Sequence, residues 1–189
     1  MSGPVRTMRP FRELGALLLF VGAASWAQAA DKAPANKVLA IADTAVSLAW
    51  SSTWQLEGAA PKGMPDSVEF HAPDRLQMVT TLTPIGGAPG PTADEAMKEL
   101  VTKSARQFEG QAVEKEIKLQ RISNGDAHGY FVCVTDKAPK PDEYKFLCQG
   151  LVSLRELPIN FIVLYNDGGK ADAERVLSAL KTIRIAEQT

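Results

Sequence analysis

Histidines are the side chains of this 189-residue chain best suited to bind a metal or to transfer a proton near neutral pH. There are two, His71 and His128, and each flanks a segment typical of a turn. Neither belongs to a His-x-x-x-His or His-Glu-x-x-His pattern, which would place two ligands on one helix face. A two-histidine site would require the two turns to meet, and we expect exposed histidines instead. The sequence therefore predicts no metal and no cofactor.

Groups for nucleophilic or acid–base catalysis are equally scarce. No serine stands in a Gly-x-Ser-x-Gly pattern, and a nucleophilic Ser or Cys needs an adjacent base. Glu114 and Glu116 are two apart in a predicted strand, where both would face solvent. Asp172 and Glu174 fall in the first turn of a predicted helix, where negative charge complements the helix dipole. We therefore predict no catalytic residue and no enzyme.

Trp50, Trp54, Gly86 and Gly87 are the best candidates for a binding surface. The tryptophans are four residues apart and would share one face of a continuous strand, either as core beneath a helix or as an exposed aromatic patch. The glycines lie in a segment rich in glycine and proline, residues 84–91, before a predicted helix. This segment lacks the lysine of a phosphate-binding loop, although its backbone N–H groups could face an anion.

Residues 1–29 have the pattern of a secretory signal peptide. Three arginines precede an apolar run at residues 14–24, and Ala27 and Ala29 occupy the −3 and −1 positions of a cleavage site. The run is shorter than the roughly 20 residues needed to span a bilayer, and no cysteine for lipid attachment adjoins the cleavage site. We expect cleavage near Ala29 and a soluble periplasmic product with no membrane span.

The charge of the remaining 160 residues excludes one class of partner. Removing three arginines and Glu13 leaves 18 basic and 21 acidic residues, a net charge near −3. Nucleic-acid-binding proteins concentrate basic residues on one surface, so no nucleic-acid partner is predicted.

Cys133 and Cys148 follow the leader and would meet an oxidising compartment, where cysteines normally pair. If the strands that carry them form a hairpin, the two cysteines lie opposite each other. A structural disulfide is the prediction, and two separate buried thiols are the alternative. A redox-active pair is disfavoured because the Cys-x-x-Cys spacing is missing.

Periodicity along residues 46–186 predicts a single α+β domain, preceded by a linker or entering segment at residues 30–45. Residues 38–49 are compatible with a short helix or a strand. Thr92-Ala-Asp-Glu95 has the capping-box spacing and starts the clearest helix, residues 92–108. Ser123-Asn-Gly-Asp126 predicts a tight hairpin turn. The other predicted elements are a helix over residues 171–182 and strands over residues 50–56, 67–71, 74–83, 113–120, 129–135, 144–154 and 159–165.

This order predicts an antiparallel sheet of six to seven strands with helices packed on it, an α-β-α sandwich. It resembles the PsbP/Mog-like fold, which is also found in DcrB-like bacterial exported proteins. The resemblance is carried by the aromatic first strand around Trp50 and Trp54, the capped helix, the Asn124-Gly125 hairpin and the final helix ending in Leu180-Lys-Thr-Ile183. Photosystem subunits, Ran-binding proteins and secretion chaperones share this fold, so the resemblance implies no enzymatic activity and no shared site.

Two functions are compatible with these observations. The first is an exported non-enzymatic protein that binds another macromolecule of the cell envelope, in an accessory, inhibitor or immunity-type role. The second is a carrier of a small apolar or lipidic ligand between sheet and helix. A pocket of several hundred cubic ångströms would favour the carrier, and a filled core would exclude it. The predicted pocket lining is Trp50, Trp54, Met78, Met97 and Phe108.

Overall fold

The computed structural model describes residues 35–64, 66–85, 93–125 and 127–186. Two helices, α1 (Asp94–Ala105) and α2 (Lys170–Leu180), lie in this part of the chain. A short 3-10 turn, Arg106–Phe108, extends α1. The strands are β1 (Ala35–Ile41), β2 (Thr44–Trp50), β3 (Gln55–Leu56), β4 (Val68–His71), β5 (Met78–Pro84), β6 (Gln120–Asn124), β7 (Ala127–Thr135), β8 (Phe146–Leu154), β9 (Leu157–Tyr165) and β10 (Arg184–Ile185).

Seven of these strands form one antiparallel sheet in the order β3-β4-β5-β9-β8-β7-β6. In the hairpins β6–β7, β7–β8 and β8–β9, strands that follow each other in sequence also pair in space, as expected for the predicted antiparallel sheet. A second sheet has the order β1-β2-β10, so strands from both ends of the described chain meet in it. The α+β fold class is confirmed.

The large sheet is covered on both faces. Phe131 of β7 belongs to the main core, which α2 and the three-stranded sheet also line. Its neighbours Tyr130 and Val132 pack against Met97 of α1 in a second, smaller cluster. Adjacent residues of a strand point to opposite faces, so α1 and α2 lie on opposite sides of the sheet.

The packed structure begins earlier in the chain than residue 46. Residues 35–45, predicted as linker or entering segment, form β1 and a two-residue turn into β2. Leu39 and Ile41 are buried in the main core, and every second residue of β1 and β2 points inward near the turn. A period of two is typical of a strand, so the strand is the correct alternative for residues 38–49 and the short helix is not.

The strand predicted over residues 113–120 is wrong, because β6 begins only at Gln120. Ala112 and Asp136 form an isolated bridge, in which Val113 donates its N–H to the oxygen of Thr135, but residues 114–119 do not continue this pairing. Glu114 accepts hydrogen bonds from the backbone N–H and the hydroxyl of Thr135, at 2.9 and 2.7 Å. The Glu114 side chain thus accepts the hydrogen bond from the Thr135 N–H that the backbone of a continuing strand would have accepted.

The two helices lie where the sequence predicts them. Helix α1 starts within the predicted range, and its proposed N-cap, Thr92, lies outside the described residues. Gly110 follows the 3-10 turn with a φ of 87°, the left-handed conformation expected after a helix. Neither helix of the described chain is long and apolar enough to cross a membrane.

Candidate functional site

Of the two interpretations of Trp50 and Trp54, the exposed aromatic patch is wrong, because the two residues are only 8% and 5% exposed. Strand β2 ends at Trp50, and a turn in which Trp54 bonds to Ser51 brings the chain back. The two indole rings meet edge to face, with centroids 5.5 Å apart, and both contact Phe70. The indole N–H of Trp54 donates to Asp172 of α2 at 3.0 Å. The pair therefore belongs to the core.

The other predicted site residues do not assemble into a site. Gly86 and Gly87 lie outside the described residues. His71 is in β4 and His128 in β7, and four strand spacings, about 19 Å, separate these strands. In the described part of the chain, no three residues among His, Cys, Asp and Glu are grouped as metal ligands.

Cys133 and Cys148 are directly opposite in the β7–β8 pair and are joined by a disulfide. Their Cα atoms are 4.1 Å apart, and Cys148 is fully buried. The bond closes a loop of 15 residues that contains the turn between the two strands. It therefore cross-links two neighbouring strands close to the β6 edge of the large sheet.

A groove runs between α1 and the large sheet, and we call it the α1 groove. Its volume is about 490 Å³, within the range of sites that bind small molecules or side chains. Within the described residues, one side of the groove faces solvent. It is lined by Thr83, Pro84, Ile85, Leu100, Val101, Ser104, Gln149, Gly150, Leu151 and Asn160.

Helix geometry explains how the groove forms. Met97, Val101 and Ala105 repeat at intervals of four and pack onto β7 and β8. Leu100 and Ser104 are one residue back from this stripe and so face the open side of the helix, towards the groove. The amide of Gln149 in β8 donates to the Ser104 hydroxyl and links the helix to the groove floor.

Among the described residues, the groove has no charged side chain, its lining mixes apolar side chains with a few amide and hydroxyl groups, and exposed apolar side chains lie at it. Leu100 is 43% exposed within it. Met64 is 44% exposed, and its sulfur lies 3.9 Å from the hydroxyl of Thr83, which belongs to the groove lining. The outer face of α1 carries charged side chains, among them Glu99 and Lys103. An apolar centre with a charged rim is the usual composition of a protein–protein interface.

A polar cluster holds the beginning of α1. The Tyr130 hydroxyl donates to Asp94 at 2.7 Å, and Arg121 lies 3.5 Å from the same carboxylate. The hydrogen bond to Asp94 raises the pKa of Tyr130, and partial desolvation adds to this effect. Tyr130 therefore stays a neutral donor, and the cluster fixes the helix that forms one wall of the groove.

The pocket lining predicted for a carrier is wrong. Trp50, Trp54, Met78 and Met97 are buried in the two core clusters. Phe108 alone of that set lines a groove, a smaller one of about 200 Å³ beyond the end of α1. The sequence does carry a signal for the α1 groove, because Leu100 and Ser104 share one helical face with Met97 and Val101. Nothing in the pattern indicated that this edge of the stripe would stay uncovered.

Among solved structures, the fold is similar to the solution structure of cyanobacterial PsbP (CyanoP) from Synechocystis sp. PCC 6803. The two sequences are 13% identical, the alignment covers 82% of this chain and 94% of that one, and the TM-score is 0.46. The match agrees with the predicted resemblance and concerns the fold alone. The sequence matches no protein-family model and no curated protein sequence.

Proposed function

We propose that this chain is an exported, non-enzymatic protein that binds a protein of the cell envelope through the α1 groove. The observation that carries the proposal is the exposed Leu100 within an uncharged groove that has a charged rim. Large apolar side chains on a surface mark interaction sites when they gather around a concave site. The exposed Met64, next to Thr83 of the lining, adds a flexible apolar side chain that adapts to a partner's shape.

The chemistry of the groove defines what part of a partner it accepts. Its lining contains amide and hydroxyl groups but no charged side chain. Burying a charged group there would leave that charge without a counterion, which costs several kcal/mol on the order-of-magnitude scale of buried unpaired ions. The proposed occupant is therefore an aliphatic or aromatic side chain on a protein surface.

The open side of the groove favours a protein over a carried ligand. A small-molecule site typically buries roughly 70–90% of the surface of its ligand, and a carrier must shield that ligand from water. Among the described residues, no wall closes the solvent side of the α1 groove, which suits a partner that supplies this wall. The alternative is a small apolar or lipidic ligand in this same groove, and the volume of about 490 Å³ supports it.

Export is proposed from the sequence of residues 1–29, with cleavage near Ala29 and a periplasmic location. The cysteine pair Cys133 and Cys148 supports an oxidising compartment.

The test replaces Leu100 with lysine in the protein lacking residues 1–29. We expect Leu100→Lys to abolish retention of the envelope partner on the immobilised protein, because a charge in the groove loses its hydration on binding. Leu76→Lys is the matched control, since Leu76 is 49% exposed on the turn before β5, outside the groove lining. Equal retention by both variants would contradict the proposed site. A lipid extracted in equal molar amount from the wild type, and lost in Leu100→Lys, would establish the alternative.

A further inference from the structure

Strand β1 presents an unpaired edge. Ala186 donates its N–H to the oxygen of Ala45 at 2.8 Å, so the backbone groups of Ala45 face β10. Its partner across the β1–β2 pair, Ala40, therefore directs its own N–H and C=O away from β2. The same alternation applies to Val38 and Asn36. Within the described residues, no backbone hydrogen bond joins these three residues to another strand.

Strand β1 lacks the features that usually prevent an edge strand from pairing with another chain. Natural edges are blocked by proline, by outward charges, by bulges or by very short strands. Strand β1 has seven residues and no proline, and it pairs in unbroken register with β2. Its one charged residue, Lys37, extends its ammonium group over the ring of Trp50 at 4.3 Å. Val38, on the outer face, is 58% exposed.

We propose that β1 pairs antiparallel with β1 of a second copy of this chain, forming a two-fold symmetric dimer. In the register centred on Val38, this residue faces Val38 of the second copy, and Asn36 faces Ala40. Each of these residues then exchanges both its N–H and its C=O with its partner. The contact is self-complementary, as a two-fold interface requires.

Charge and side-chain packing fit this register. Lys37 lies opposite Leu39 of the second copy, so like charges do not face each other across the pair. The two Val38 side chains form a cross-strand β-branched pair on the outer face, a type of contact that stabilises antiparallel sheets. The three-stranded sheets of both copies become one six-stranded sheet. A second copy is thus favoured over an unrelated extended peptide, because every requirement of the pairing is met by β1 itself.

The first test removes one outward donor without disturbing β2. Val38→Pro lacks the N–H that points to the second copy, whereas the bonds of β1 to β2 come from the alternate residues. Sedimentation of the protein lacking residues 1–29 should give twice the chain mass for the wild type and for Val38→Thr, which keeps the N–H and the branched shape. Val38→Pro should give the mass of one chain, with an unchanged circular dichroism spectrum. A wild type that remains monomeric up to several hundred micromolar would overturn the proposal.

The second test reads the register and needs no loss of folding. Val38→Cys should form a disulfide-linked dimer on mild oxidation, because the paired Cα atoms are about 5.5 Å apart in such a pair. Asn36→Cys should not link to itself, but an equimolar mixture with Ala40→Cys should give the mixed dimer. Self-linking of Asn36→Cys in place of the mixed product would show another register and overturn the pairing centred on Val38. Dimers in which no cysteine of β1 links would place the contact elsewhere.

Discussion

The side chain of a single residue, Glu114, takes the place of a paired strand at the end of β7. Its carboxylate bonds both the N–H and the hydroxyl of Thr135, at the point where β7 ends. Partial desolvation acts to raise the pKa of Glu114, but the hydrogen bonds from Thr135 outweigh it and hold the pKa below its ordinary value of 4.5. The folded state therefore favours the ionised form.

A pH-dependent stability follows from this contact. The contribution of Glu114 is complete above its ordinary pKa of 4.5 and is lost as the pH falls through the lower pKa of the folded state. Glu114→Gln should lower the free energy of unfolding by about 1 kcal/mol at pH 7, and the difference should shrink below pH 4.5. Urea denaturation between pH 3 and pH 7 measures it, with the exposed Glu116→Gln as control. A difference that is constant over this range would contradict the contact.

In the pair β7–β8, Gly150 lies too close to the opposite strand for any larger residue. A Cβ atom at Gly150 would overlap the carbonyl oxygen of Tyr130 and the side chain of Phe131. Gly150 stands directly opposite Phe131, so the strand passes beneath this side chain at close range. The glycine is therefore a packing requirement of the element.

Substitution of this glycine should be costly. Gly150→Ala forces a shift of the β7–β8 pair, and we expect a loss of roughly 1–3 kcal/mol in the free energy of unfolding, typical of an overpacked core. Gly58→Ala is the matched control, because a Cβ atom there meets no atom within 4 Å. Thermal unfolding of both variants distinguishes a steric effect from a general effect of alanine. Equal melting temperatures would contradict the close approach.

The elements that sequence periodicity predicts best are those whose neighbours in space are also neighbours in the chain. Strands β7, β8 and β9 and helix α2 are correct, because local hairpins and a buried stripe decide them. Residues 113–120 alternate just as well, yet a side chain interrupts their pairing. Tertiary packing overrides the local pattern there.

The candidate site was less predictable than the fold, for a physical reason. Trp50 and Trp54 are buried because a turn after β2 brings them together, and strand spacing alone does not reveal that turn. Leu100 is exposed because α1 packs over β7 and β8, and no other described element covers this side of the helix. The width of a helix's apolar stripe indicates burial, but which edge remains uncovered depends on where the helix lies.

At the scale of the whole molecule, the disulfide and the leader give one joint prediction. The protein recovered from the periplasm should begin after residue 29, and its intact mass should lie two hydrogen masses below that of the dithiol form. Replacing Cys133 and Cys148 by alanine together should lower the free energy of unfolding by about 3 kcal/mol, since the bond closes a loop of 15 residues. Denaturation of oxidised and reduced protein measures this difference. Two free thiols, or an intact leader, would contradict the corresponding half of the prediction.

The order β1-β2-β10 has a consequence for how the chain reaches its final state. Synthesis delivers β1 and β2 first, but the strand that completes their sheet is Arg184–Ile185, near the other end of the described chain. The early hairpin cannot close its second side until almost all later residues have emerged. Contacts of such long range fold slowly. The pairing of Arg184 with Ser47 is therefore one of the last contacts that the chain can form, so the three-stranded sheet is completed late in folding.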